Sequence, residues 1–90
     1  MVSLVFEAIF RFYAELNEYL PPIRRGRSFP YRISQARPLR QVIIELGVPP
    51  EKAGLVLVNG HAADLDQEVE QGDRVSVYPA FRTLNIRGGS

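Results

Sequence analysis

One segment decides how the rest of this chain can be arranged, the stretch Pro38 to Gly47. Its apolar residues Leu39, Val42, Ile43 and Leu46 fall at i, i+3, i+4 and i+7, so a helix here buries one stripe and exposes the rest. Pro38 suits a first-turn position, and Gly47 supplies the left-handed stop. The segments on either side carry strand patterns. A helix inserted between strand pairs has one place to bury its stripe, a face of the sheet, which predicts a two-layer α+β domain.

The strand patterns are specific enough to order. From Leu4 to Phe12 the even positions are all apolar (Leu4, Phe6, Ala8, Phe10, Phe12), while the odd ones include Glu7, Arg11 and Tyr13. Ala14 to Leu20 fits a helical turn that Pro21-Pro22 stops, and Arg24-Arg25-Gly26-Arg27 then reads as an exposed loop. Ser28 to Ser34 places Phe29, Tyr31 and Ile33 on one face, and Pro30, lacking a ladder donor, confines this second strand to an edge. After the break at Val48-Pro49-Pro50, Leu55 to Val58 is an apolar run closed by the hairpin signal Asn59-Gly60, with a short return at His61 to Ala63. Asp64 to Gln71 is a polar connector. Gly72-Asp73 then leads into a closing strand, Arg74 to Ala80.

Ninety residues bury roughly 60 to 65% of the unfolded chain's surface, enough for one core and not for two. A content of 46% hydrophobic and 23% charged residues lies outside the range of disordered chains. With no cysteine and a single histidine, the chain has no disulfide framework, no thiol chemistry and no His/Cys metal set. Glu7 and Arg11 interrupt the apolar N-terminus, which has neither a basic start nor a small-residue cleavage site. No membrane span or signal peptide is expected, and the cytoplasm is the expected compartment. The net charge of +1 hides an asymmetry. Six of the eleven basic residues lie between Arg24 and Arg40, where no acid occurs, and five of the ten acids lie between Asp64 and Asp73.

Four stretches, in order, carry a family resemblance: Phe10-Arg11-Phe12-Tyr13-Ala14-Glu15-Leu16, Val42-Ile43-Ile44-Glu45-Leu46-Gly47-Val48-Pro49, Val58-Asn59-Gly60, and Gly72-Asp73-Arg74-Val75-Ser76-Val77-Tyr78-Pro79. Over about residues 4 to 82 the chain resembles the ubiquitin-like domain found in front of Mut-seven C-terminal type, PIN-like ribonucleases of bacteria. The resemblance implies a β-grasp fold, a mixed sheet of four to five strands packed on one helix. The domain is expected to span 1–82, and 83–90, with no pattern beyond Leu84 and Ile86, reads as a tail or truncated linker. It also implies a fragment of a longer protein, in which the unit is a non-catalytic interaction or regulatory module beside a ribonuclease domain or protein partner. The same stretches are more distantly similar to the small sulfur carriers of molybdopterin and thiamine synthesis, whose terminal Gly-Gly is adenylated and loaded with sulfur. Gly88-Gly89 would be that carrier tail, although Ser90 follows it and eight residues, Ala80 to Arg87, separate it from Pro79.

The candidate surfaces follow from these readings. Arg24, Arg25, Arg27 and Arg32, interleaved with Phe29 and Tyr31, have the composition of an RNA-contacting loop, cations for phosphates and rings for unpaired bases. The competing reading keeps both aromatics on the core face with Ile33. If the first and last strands are neighbours, as the resemblance implies, Val5, Ile9, Tyr78 and Phe81 form an apolar protein-binding patch on the outer face, unless the tail covers it through Leu84 and Ile86. Asp64, Asp66, Glu68, Glu70 and Asp73 superficially match an oxygen-rich cation loop, but Val69 stands where a calcium loop needs glycine. No serine or cysteine is placed to make His61 a general base, and neither a catalytic residue nor a cofactor is expected.

Overall fold

A computed structural model of the chain describes residues 5–80. The alternation at the N-terminus forms β1 (Phe6–Phe12), whose residues Ala8, Phe10 and Phe12 are buried. It pairs antiparallel with β2 (Phe29–Ile33), and the pairing of Phe10 with Phe29 and of Ala8 with Tyr31 puts aromatic side chains on one face of both strands. The rings of Phe10, Phe12 and Phe29 stack at 6.3 to 6.4 Å between centroids, and Tyr31 meets Phe10 edge-on. Phe29 and Tyr31 thus face the core, as the alternation with Ile33 implied.

After β2 the chain enters helix α1 (Leu39–Glu45). Its apolar stripe, Leu39, Val42, Ile43 and Leu46, is buried in the same core as the β1 phenylalanines. Pro38 provides no side-chain cap. The exposed backbone donors of the first turn are met instead by the polar connector, whose Gln67 and Leu65 carbonyls accept from the amides of Leu39 and Arg40 at 2.9 Å. Gly47 ends the helix at φ +96°.

The second half of the sheet consists of β3 (Ala53–Val58), β4 (His61–Ala62) and β5 (Arg74–Pro79). β3 and β4 are joined by Asn59-Gly60 with both residues at positive φ, the conformation a tight hairpin needs. β5 inserts between β1 and β3, parallel to the first and antiparallel to the second, so the sheet order is β2-β1-β5-β3-β4. This is the expected mixed sheet of the ubiquitin-like β-grasp class, with five strands. Pro30 lies on an edge strand, as its missing donor required. Strand β3 begins two residues earlier than the apolar run indicates, and Gly54 sits at a register shift between Ala53 and Leu55. Short 3-10 turns fill the connections at Ala14–Tyr19, Pro22–Arg24 and Pro50–Lys52.

The turn before β5 is held by a buried carboxylate. Asp73 accepts from the Asn59 side-chain amide at 3.0 Å and from the Glu70 amide at 2.8 Å, while the Asn59 side-chain carbonyl accepts from the Arg74 amide at 2.9 Å. This ties the β3–β4 hairpin to the start of β5.

Gly54 is required for a different reason from the turn glycines. A Cβ on it would lie 2.4 Å from the Cα of Ala80 and 2.8 Å from the carbonyl oxygen of Pro79, both backbone atoms that cannot move aside alone. Gly54→Ala is therefore expected to lower stability by about 1–3 kcal/mol, through overpacking at the β3–β5 seam. A denaturant midpoint measured against the parent chain, with an unchanged m-value, checks this.

Candidate functional site

Helix α1 covers one face of the sheet; the other is built from the residues that point away from the core. On β1 these are Val5, just before the strand, then Glu7, Ile9, Arg11 and, just after it, Tyr13. On β2 they are Pro30 and Arg32, on β5 Arg74, Ser76 and Tyr78, and on β3 Leu55 and Leu57. Val5 is 46% exposed and Leu55 45%. The parallel register sets Ile9 beside Arg74 and Arg11 beside Ser76. One step further, Tyr13 and Tyr78 stack with centroids 4.3 Å apart and planes within 10°. The guanidinium of Arg11 lies 5.1 Å from the Tyr13 ring centre. A hydrogen bond with Tyr13 and, secondarily, burial raise the Tyr78 phenol above its ordinary pKa.

Between β1 and β5 this face dips into a shallow depression of about 220 Å³, lined by Ile9, Arg11, Tyr13, Ser28, Arg74 and Ser76 among others. Among the described residues, no carboxylate lines it. The Nε of Arg11 is buried there without an acceptor among the described residues, which a charged donor does not tolerate cheaply.

The four residues of the expected apolar patch are placed as follows. Val5 and Ile9 lie on the outer face of β1, Tyr78 lies on the same face of β5, and Phe81 falls outside the described residues, as do Leu84, Ile86, Gly88 and Gly89. Sequence reasoning did not single out Arg11, Tyr13, Leu55, Leu57, Arg74 or Ser76. Arg11 and Tyr13 share the odd positions of β1 with Val5 and Ile9, so alternation alone could have placed them. Leu55 and Leu57 sit in an apolar run that gives no sign of which residues face outward.

The basic loop is divided between two roles. The Arg24 guanidinium packs over the Phe29 and Tyr31 rings, 4.9 and 5.8 Å from their centres, and Arg25 donates from Nε to the Leu20 carbonyl at 2.7 Å. Both are occupied in holding the loop, which Asn17 also fastens by accepting from the Gly26 amide at 2.8 Å. Arg27 and Arg32 are exposed and carry none of these contacts. In the acidic connector, Asp66 pairs with Arg40 at 2.9 Å, Val69 is buried and Asp73 serves the turn; no group of three or more His, Asp or Glu is gathered for a metal among the described residues.

Comparison with known proteins gives the family. A family model described as Mut7-C ubiquitin matches residues 5–85. The chain belongs to the Mut7-C ubiquitin family. Its fold is also that of the Haloferax volcanii HVO 2177 protein, whose solution structure aligns at a TM-score of 0.65 over 94% of this chain and 88% of that one, at 22% identity. No curated protein matches the sequence. Among the described residues of this Mut7-C ubiquitin domain, no helix is long and apolar enough to cross a membrane.

At the helix side of β2, Glu45 accepts from the Tyr31 hydroxyl at 3.0 Å and forms an ion pair with Arg37. Burial works to raise the Glu45 pKa, but the hydrogen bonds from Arg37 and Tyr31 outweigh it and hold the carboxyl below its ordinary range. A lowered folded-state value contributes stability above the unfolded pKa of about 4.3, and that contribution is lost as pH falls through the lower folded value. Glu45→Gln is expected to cost about 0.5–1.5 kcal/mol at pH 7 and progressively less below about pH 4. Urea unfolding of both chains at pH 7 and pH 3 checks the sign.

Proposed function

We propose that this chain is a non-catalytic interaction module. It is part of a longer protein carrying a PIN-like ribonuclease domain, and it docks through its outer sheet face onto that domain or onto a protein partner. One observation carries the reading: the face opposite α1 joins Ile9, Leu55 and Leu57 to a stacked tyrosine pair and three arginines, with no second layer over it among the described residues. Tyrosine and arginine around an aliphatic centre are the residue types that dominate binding energy at protein interfaces. Membership of the Mut7-C ubiquitin family supports the pairing with a nuclease-bearing protein, and the fold leaves function to the surface.

The RNA reading of the basic loop is the weaker one, because two of its four cations, Arg24 and Arg25, already hold aromatic rings and a backbone carbonyl. The outer face is the better candidate.

The test is made on the native protein from its source cells. Its intact mass is expected to exceed the 10.2 kDa of this chain, and the methyl groups of Ile9, Leu55 and Leu57 are expected to be shielded from a soluble paramagnetic probe in that longer protein, while exposed in the chain alone. Equal exposure in both would remove the docking surface. A native species ending at Gly89 and heavier by one sulfur atom would replace this reading with a sulfur carrier.

A further inference from the structure

The outer face has an electrostatic deficit that specifies its partner. Of its charged side chains among the described residues, Arg11, Arg32 and Arg74 are basic and Glu7 is the one acid, which lies opposite Arg32 in the β1–β2 register. The two ion pairs among the described residues, Arg37 with Glu45 and Arg40 with Asp66, involve other residues. Segments 1–4 and 81–90 contain no Asp or Glu side chain. Among the described residues, Arg11 and Arg74 line one depression together with Ser28 and Ser76, two cations and two hydroxyls without a carboxylate, and Arg11 Nε is buried there unpartnered. Like charges gathered in this way repel one another, and an oxyanion relieves both the repulsion and the unmet donor.

We propose that the depression between β1 and β5 is the seat of a carboxylate side chain, an Asp or Glu of a protein partner flanked by apolar residues. The inference rests on the docking role assigned to this face and names the chemistry of what docks. A guanidinium presents a planar fork matched to a carboxylate, and Ser28 and Ser76 offer further donors at the rim. The surroundings favour a protein over an RNA strand. Ile9, Leu55 and Leu57 offer aliphatic surface that a sugar-phosphate backbone does not use. The Tyr13 and Tyr78 rings turn their faces to each other, with the Arg11 guanidinium against Tyr13, so the contacts an unpaired base would make with these rings are already made internally.

The experiment is an NMR titration of the 90-residue chain that follows the arginine Nε–H resonances. The probes are a capped Leu-Glu-Leu-Glu-Leu peptide, the same peptide with glutamine in place of glutamate, and decauridylate. The glutamate peptide is expected to shift Arg11 and Arg74 saturably. Arg11→Gln and Arg74→Gln are each expected to weaken binding about tenfold, as loss of a charge-assisted hydrogen bond does. Arg11→Lys, which keeps the charge but not the fork, should retain part of the affinity. Amide spectra of the variants, superimposable away from the site, show that they fold.

Equal binding of the glutamine peptide would overturn the carboxylate assignment in favour of apolar contact alone. Decauridylate shifting Arg11 where the glutamate peptide does not would overturn it in favour of nucleic acid. No shift with any probe would overturn the site. If the site fails while Leu55 and Leu57 remain shielded in the longer native protein, the docking surface stands without it; if both fail, the docking role falls too.

Discussion

The fold depends on one non-local pairing, the parallel ladder between β1 and β5, which joins residues 9–12 to residues 74–77. A parallel pair cannot be closed by a short turn, so everything between Tyr13 and Asp73 is in effect its crossover. That crossover must deliver β5 in register, and its end is fixed by backbone bonds: the Ile9 amide donates to the Asp73 carbonyl and the Gly72 amide to the Glu7 carbonyl, both at 2.8 Å. Only with β1 and β5 side by side do Phe10, Phe12, Val75 and Val77 form the continuous apolar floor on which the helix rests. Closing so long a loop is entropically expensive before those contacts repay it, so the chain is expected to gain most of its stability in one late, cooperative step.

The helix illustrates the same dependence from the other side. Seven residues, Leu39–Glu45, are too few to be helical in isolation, and their first-turn donors bond the connector rather than a capping side chain. Local propensity is small here; burial of Leu39, Val42 and Ile43 is worth roughly 1.5–3 kcal/mol for each side chain and makes the helix permanent. Because the connector reaches the helix N-terminus, its Asp66 ends up on the helix layer, paired with Arg40. The arginines of β1, β2 and β5 point the other way. The charge asymmetry of the sequence thus becomes an asymmetry between the two faces, although not the one its blocks imply, since Arg24, Arg25, Arg37 and Arg40 are all engaged internally.

Most of the architecture was legible because it depends on short-range pattern. Alternation gave β1 and β2 and turned Phe29 and Tyr31 inward, the i, i+3, i+4, i+7 stripe gave α1, Asn59-Gly60 gave the hairpin, and Pro30 marked an edge. The candidate site was legible only in part. Stacking of Tyr13 on Tyr78 and convergence of Arg11 with Arg74 are consequences of parallel register, which separates the partners by more than sixty residues and leaves no local trace. Nor could the extended start of β3 be read, because Gly54 looks like a strand breaker until the approach of the Ala80 backbone shows why a side chain has no room there.

A partner could in principle add a strand to a sheet edge rather than cover a face. Both edges of this sheet resist that. β2 carries Pro30 without a backbone donor, and β4 offers two residues, too few to guide an incoming strand. The part of β3 that β4 leaves uncovered begins with the register shift at Gly54, which breaks the even spacing of donors and acceptors an added strand would need. The outer face has none of these obstacles. It has a stacked tyrosine pair, whose ordering cost is already met in the free domain, beside two guanidiniums that lack an anion among the described residues. Binding energy is most available where groups are ordered before the partner arrives and unsatisfied until it does, and in this domain both conditions meet between β1 and β5.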